Sequence, residues 1–565
     1  MNDDASNQTH EDTLLELAAE SGPLGKAAIY SRLSGPGWLQ GAITLGGGSL
    51  AGALYLGVIM GYEMMWLQPI AMILGVVMLS AISYVTLTTG ERPFQTLKTH
   101  ISPVLAWGWL IATMMANIVW SLPQFSLGTA AVQQNLIPSL DGNTGKLIIA
   151  VALLAVASIV VWFYNSGSAG IKAFEVILKV MVGIVVISFF GVVFELTRQG
   201  LLPWDKIFSG FIPQLGYLFE PVPVLADQVA QTGDYSQWWN DKVAAKQKDT
   251  IIAAFATAVG INMTFLLPYS MLRKGWGARH RGLAIFDLSI GLIVPFVLAT
   301  GCVVIAAASQ FHGSTKDVMA MVDAGNTDAK EVKDYFKYLD ERITQENPDL
   351  GETEKVAARA ELPDADKQLA AMLAGRDNQT LAATLEPLVG SVVAQKLFGI
   401  GVLGMAVSTI IILMLINGFA FCELINVPAK GAMHRLGSFL PAVGVVGPFV
   451  WGAAAPALAV PTSVIGGAML PIAYLSFLLL MNSRQTLGDS FPTGMKRLVW
   501  NIVMLIATGV AGFASAWGLY GKAMKVKGVE IPLGKIALGV LAVMLVLGIV
   551  SFFSKEAAHA KRTST

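Results

Sequence analysis

Gly46-Gly47-Gly48-Ser49 interrupts an apolar stretch, GPGWLQGAITLGGGSLAGALYLGVIMGYEMMW over residues 35–66, that is long enough to cross a bilayer. A spanning helix satisfies its own backbone, because lipid offers no hydrogen-bond partner. Three successive glycines make such a helix easy to unwind, and unwound backbone at membrane depth persists only inside protein or beside a cavity. The freed carbonyls, with the Thr44 and Ser49 hydroxyls, are hard oxygen ligands of the kind cations accept. A second interruption is expected in IIAAFATAVGINMTFLLPYSML, at Gly260-Ile261-Asn262-Met263-Thr264, with Pro268 one turn later to disturb the helix again. Asn262 and Thr264 add neutral oxygens there. Met263 and Met469 offer a soft thioether, which favours transition metals over magnesium. The candidate ion-binding set is therefore Gly46, Ser49, Val259, Asn262, Thr264 and Met469, with backbone carbonyls supplied around Gly46 and Val259. Ser49 and Asn262 are the side chains nominated to face a metal. The plainer alternatives are an interhelical hydrogen bond for Asn262 and close helix packing for Gly46–Gly48.

Other chemistry finds little support. All six histidines (His10, His100, His280, His312, His434, His559) fall in tails or loops, so a carrier built on clustered intramembrane histidines is not indicated. No GxxxxGK[ST] loop appears, which speaks against ATP-driven transport. No nucleophile–base set is visible, so neither an enzyme nor a cofactor is expected. Glu63, Glu175, Asp287 and Glu423 lie near the ends of apolar stretches, where snorkelling or pairing with Lys172 or Arg281 is expected. Cys302 and Cys422 read as inert thiols in apolar surroundings.

The elements that must position these residues are membrane helices. The chain has 565 residues, of which 54% are apolar and 13% charged, with a mean hydropathy of +0.61. That composition belongs to a polytopic membrane protein, and net charge near zero with no basic aromatic stripe points away from nucleic acid. About twelve spans are expected by the ~20-residue criterion, near 38–60, 65–88, 103–128, 147–164, 172–197, 250–270, 282–310, 393–424, 440–459, 461–482, 498–520 and 534–553. The chain divides into a tail over 1–34, spans one to seven over 35–310, a hydrophilic helical insertion over 311–392, spans eight to twelve over 393–555, and a second tail over 556–565. The start carries no cleavable signal. Lys and Arg clusters after spans six, ten and twelve put both termini in the cytoplasm, with Lys522, Lys525 and Lys527 on the opposite face. The insertion carries sixteen acids against nine bases, which makes it an acidic extracellular cap or a funnel for cations. Breaks at corresponding places in spans one and six are the mark of an inverted-repeat transporter with its site between them.

Several fragments, in this order, resemble the NRAMP divalent-metal transporters. They are GPGWL at 35–39, the break at 46–49, GYEMMW at 61–66, Thr89-Gly90, GIKAFE at 170–175, GFIP at 210–213 and LPIAYLSFLLLMNSR at 470–484. The resemblance covers most of the membrane region and leaves out the 311–392 insertion. It implies an all-α LeuT-like fold, with ten core helices in two inverted halves of five, and proton-linked uptake of manganese or iron. The chain departs from the family pattern at its centre. Gly46-Gly47-Gly48-Ser49 stands for Asp-Pro-Gly-Asn, Asn262-Met263-Thr264 for Met-Pro-His, and Met469 for a glutamine of the tenth span. The third span, LIATMMANIVWSLPQFSLGTAAVQQ, lacks the acids associated with proton passage, so H+ as a coupling ion rests on the resemblance alone.

Dehydrating a divalent cation beside neutral oxygens costs several kcal/mol. A site without a carboxylate must hold a partly hydrated ion, borrow an acid, or bind something else. The leading expectation is a secondary transporter in the cell (inner) membrane, moving Mn, Fe or Mg-class cations through a modified site at broken helices one and six. The alternative is an ion-coupled or facilitated carrier of a small organic solute, since helix N-termini facing the cavity would suit a carboxylate. A sensor that has lost transport is a third reading.

Overall fold

The computed structural model describes residues 13–164, 186–451, 462–526 and 529–563, with a few isolated positions besides. Among them, nine helices are long and apolar enough to cross a membrane. The first expected span contributes two shorter halves, α1 (Pro36–Thr44) and α2 (Gly47–Met60). Much of the expected fifth and ninth spans, including Glu175 and the GIKAFE fragment, lies outside the described residues.

The remaining spans follow from their composition. α3 (Leu67–Thr89) is apolar on nearly every face and ends where Gly90 adopts φ 67°, a left-handed cap. α4 (Pro103–Ala130) starts with the Ser102 hydroxyl accepting from Leu105 N and proline in its first turn, and it continues as a π-turn over Ala131–Leu136. α5 (Gly142–Tyr164) follows. α6 (Ser236–Ala256) begins well before the apolar run expected at 250, because polar Gln and Lys positions extend the helix out of the membrane. α7 (Ile261–Arg273) completes the broken sixth span. α8 (Arg281–Leu288) passes through a π-turn into α9 (Val294–Phe311). α10 (Glu386–Leu424) contains one non-helical residue, Gly390. The tenth span turns at Ala468–Met469 before α11 (Leu470–Met481), which is buried along its whole length. α12 (Gly494–Leu519) and α13 (Leu533–Thr563) are joined by a small antiparallel pair of strands, Met524–Val526 and Val529–Ile531, in which Lys525 opposes Glu530.

Residues 198–235 form short helices rather than a span. The hydrophilic segment between α9 and α10 folds into five α-helices, with Lys330–Glu346 the longest, and a 3₁₀ turn over Ala382–Leu385. Buried ion pairs hold this cap together. Arg342 Nε donates to Asp366 Oδ1 at 3.2 Å, and Trp239 Nε1 donates to the same oxygen. Arg376, fully buried, grips Asp317 through Nε at 2.9 Å and Nη2 at 3.3 Å. The cap is fastened to the membrane part by Tyr55 of α2, whose hydroxyl donates to Arg376 O and accepts from Arg376 N, both at 2.9 Å.

Candidate functional site

The two breaks include Gly46 and Gly260, as expected, but extend toward the N-terminal side of those glycines rather than the C-terminal side. Leu45 and Gly46 separate α1 from α2, and Gly46 is extended (φ −93°, ψ −177°). Gly47 and Gly48 are helical and open α2. Glycine is inexpensive in a first turn, where the backbone donors lack helical partners in any case. A Cβ at Gly47 would stand 2.6 Å from Gln124 Oε1, so a larger residue there would displace that amide. In the sixth span the break covers Thr257–Gly260, with Gly260 extended (φ −80°, ψ 159°), so Asn262, Met263 and Thr264 form the first turn of α7. Pro268 sits inside α7 without breaking it. Buried neighbours hold that helix, as they do for many prolines in membrane helices.

Ser49 joins the two breaks: its hydroxyl donates to the Thr257 carbonyl at 3.0 Å. This carbonyl is one that a continuous α6 would have used internally. Beside the bond is a cavity of about 50 Å³, lined by Gly48 and Ser49 of α2, Trp120, Pro123 and Gln124 of α4, Thr257, Gly260, Asn262 and Met263 of the sixth span, Thr409 of α10, and Ser463. At about 10–15 Å³ per water, it holds roughly three to five waters, or an ion with part of its shell. α2 and α7 begin at this cavity while α1 and α6 end there, so two positive and two negative helix ends largely offset one another. Among the described residues no carboxylate, ammonium or imidazole lines it. The available ligands are neutral. Asn262 is 3% exposed, and no side-chain partner for it is found among the described residues. Gln124 Oε1 and Trp120 Nε1 are buried without hydrogen bonds. Thr409 Oγ1 donates to Met405 O at 2.8 Å, which leaves its lone pairs free.

Of the residues nominated from the sequence, Ser49 and Asn262 meet at the cavity. Gly46 and Ser49 line a second, smaller void of about 20 Å³ with apolar walls. Val259 packs its side chain against Gly75. Thr264 is engaged elsewhere, its hydroxyl accepting from Trp109 Nε1 at 2.9 Å. Met469 stands at the turn of the tenth span, off the cavity lining. Met263 does line the cavity, but its sulfur accepts from Thr44 Oγ1 at 3.2 Å. Gln124, Trp120, Thr257, Thr409 and Ser463 were missed. The signal for the first two was Ser121-Leu122-Pro123-Gln124 in an apolar span, since Pro123 removes a helical donor beside an amide that lipid could not satisfy.

Glu63, Asp287 and Glu423 are not among the residues lining the cavity, and Asp287 and Glu423 have partners other than Arg281, while Glu175 lies outside the described residues. Asp287 of α8 caps α1, its Oδ2 accepting from Gly37 N at 2.6 Å and its Oδ1 from Gly35 N at 3.2 Å. Glu423 accepts from Arg92 Nη1 at 2.7 Å and Gln95 Nε2 at 3.2 Å. Arg281 instead donates to Thr88 Oγ1 at 3.2 Å and lies over the Tyr84 ring.

The Natural resistance-associated macrophage protein-like (Nramp) family matches residues 37–339 and 368–519, that is, most of the chain on either side of a gap within the cap. The chain belongs to the NRAMP family. It is accordingly an integral membrane transport protein and not an enzyme. Its NRAMP scaffold is similar to a solved manganese transporter from Eremococcus coleocola in complex with an aromatic bis-isothiourea substituted compound. The TM-score is 0.60 at 13% identity, covering 93% of this chain and 94% of that one. A mutant of the same Eremococcus coleocola transporter gives a TM-score of 0.60 at 13% identity, over 94% and 96% of the two chains. At this identity the likeness shows the shared LeuT-type fold. No curated protein matches the chain in sequence.

Proposed function

We propose that this NRAMP protein carries hard divalent cations of the Mn²⁺ and Mg²⁺ class, bound with part of their water shell, through the cavity between its two helix breaks. The observation that carries this reading is the small cavity joined by Ser49 and Thr257, where neutral oxygens from Asn262, Gln124 and Thr409 converge on an NRAMP scaffold. Neutral amides and hydroxyls replace only part of a divalent ion's hydration, so an ion that keeps its remaining waters avoids the largest dehydration cost. The one thioether at the site, Met263, is outnumbered there by hard oxygens, which favours harder cations.

No titratable side chain among the described residues touches the cavity. On this reading the cargo is driven by its own gradient and the membrane potential. Both termini lie in the cytoplasm and the 311–392 cap outside the cell membrane, by the Lys and Arg clusters around Arg273, Arg484 and Lys555.

The test is Mn²⁺ and Mg²⁺ entry into proteoliposomes under an inside-negative potential, with Asn262→Ala as the control. Flux should fall about ten-fold or more in the variant, the effect of one lost ligand of about 1.5–3 kcal/mol, and an imposed pH gradient should leave wild-type flux unchanged. No flux above empty liposomes from folded protein would sink the cation reading and turn the search to organic solutes.

A further inference from the structure

At one membrane face, where α11 ends, α12 begins and α13 runs out of the bilayer, there is a groove of about 450 Å³ remote from the transport cavity. Its two ends differ in chemistry. Toward the water, Arg484 and Arg497 lie over a single ring, Phe491, at 5.3 and 4.9 Å from its centre. Among the described residues neither guanidinium has a carboxylate within 4.0 Å. Arg497 has only a long bond of 3.4 Å to Asn482 Oδ1. The one acid in the groove, Glu556, has Oε1 accepting from Ser483 Oγ at 2.6 Å, so the lining carries a net positive charge. Asn482 and Asn501 bond to each other at 2.7 and 3.2 Å across the groove wall. Toward the apolar length of α12 and α13 the wall becomes apolar through Leu505, Phe552 and Phe553, and Phe553 is 64% exposed.

Arg484 and Arg497 are exposed, share one aromatic ring and, among the described residues, have no carboxylate within 4.0 Å, and Glu556 is the only acid in the lining, so their donors are available to an anion. Guanidinium forks match phosphate oxygens in pairs, and the adjoining apolar wall leads directly into the hydrocarbon region. We infer that this groove is a binding site for an anionic phospholipid of the surrounding bilayer. Arg484 and Arg497 hold its phosphate, and an acyl chain lies along Leu505, Phe552 and Phe553. The apolar wall is what argues for a lipid over a free anion, which would leave that wall uncovered. The site clamps the ends of α11, α12 and α13 together, with the lipid phosphate balancing the net positive charge of the lining.

The experiment is thermal unfolding of the full-length chain in mild detergent with added short-chain phosphatidylglycerol, phosphatidylcholine of the same chain length, or inorganic phosphate. Phosphatidylglycerol should stabilise the wild type at a concentration about ten-fold lower than phosphatidylcholine, the effect of one charge-assisted hydrogen bond. Arg484→Gln with Arg497→Gln should remove that difference. Arg497→Lys, which keeps the charge but loses the fork, should retain part of it. Should the double variant fail to fold, the exposed Arg497→Gln alone carries the test. Equal response to the two lipids in the wild type, or an undiminished phosphatidylglycerol preference in the glutamine variants, would overturn the site. Stabilisation by inorganic phosphate equal to that by phosphatidylglycerol would overturn the lipid assignment in favour of a free anion.

Discussion

Ser49 and Asn262 could be named from the sequence because a short polar residue next to an unwound glycine has few other uses in a bilayer. Thr264 offered the same neutral oxygen but has another partner, and no local pattern distinguishes a threonine that accepts from Trp109 from one that faces a cavity. Gln124 shows the reverse. It lies 75 residues from Ser49 in sequence and reaches the site only because α4 packs across both breaks. Gly47 is what permits that approach. Gly47→Ala would place a methyl 2.6 Å from Gln124 Oε1 and against Leu127, forcing the amide out of the cavity. Overpacking of this kind costs about 1–3 kcal/mol, so the melting temperature should fall modestly. Cation flux in proteoliposomes should fall about as far as in Asn262→Ala. A variant with lowered melting temperature and full flux would show that Gln124 is not a ligand.

Among the elements, α1 is the one whose attachment the sequence concealed. GPGWL reads locally as a proline-initiated helix start, and it is one: Gly35 precedes Pro36 in the first turn. What holds it is Asp287, 250 residues away, whose carboxylate takes up the Gly35 and Gly37 backbone donors that the helix cannot use. Gly37 has no room for a side chain, since a Cβ would lie 2.9 Å from the Asp287 carboxyl carbon. Asp287→Ala should therefore destabilise the protein by about 1–3 kcal/mol, the usual cost of stranding buried donors, read as a drop in the detergent melting temperature. Asp287→Asn keeps one acceptor oxygen and should recover part of the loss. An alanine variant with wild-type stability would show that α1 is held by packing alone. The break positions were also only partly legible. Glycine marks where a helix can unwind, but whether it unwinds there or begins a new helix depends on which neighbours use the freed donors and carbonyls.

For the whole molecule, the cap over 311–392 is tied to the membrane part by Tyr55 and braced inside by buried acids. Glu331 Oε1 accepts from Asp377 N and Thr380 Oγ1, both at 2.8 Å, while Oε2 is buried without a partner. Burial raises the Glu331 pKa, the nearby Asp377 charge raises it further, and burial raises that of Asp377 as well. The folded cap then binds protons more tightly than the unfolded chain does. The contribution of these two acids to stability is greatest where they are protonated, and it declines as pH rises from the ordinary carboxylate range through the raised folded values. Thermal unfolding followed between about pH 5 and pH 7 should show that decline in the wild type and a flatter profile in Glu331→Gln, which keeps the Oε1 acceptor without the charge. Parallel profiles would show that Glu331 does not titrate in this window.

The sequence by itself determined the class of this protein: its apolar lengths, its two weak points in spans one and six, its acidic insertion, and the collinear NRAMP fragments. These are properties of composition and order along the chain, and burial in lipid allows few other outcomes for them. Only the tertiary structure decided which polar groups meet. Ser49 finds Thr257, Asp287 finds Gly35 and Gly37, and Gln124 joins Asn262, each across a sequence distance that no local pattern spans. A buried polar atom must take whichever partner the packed helices bring within reach, and that choice is made by the helices together.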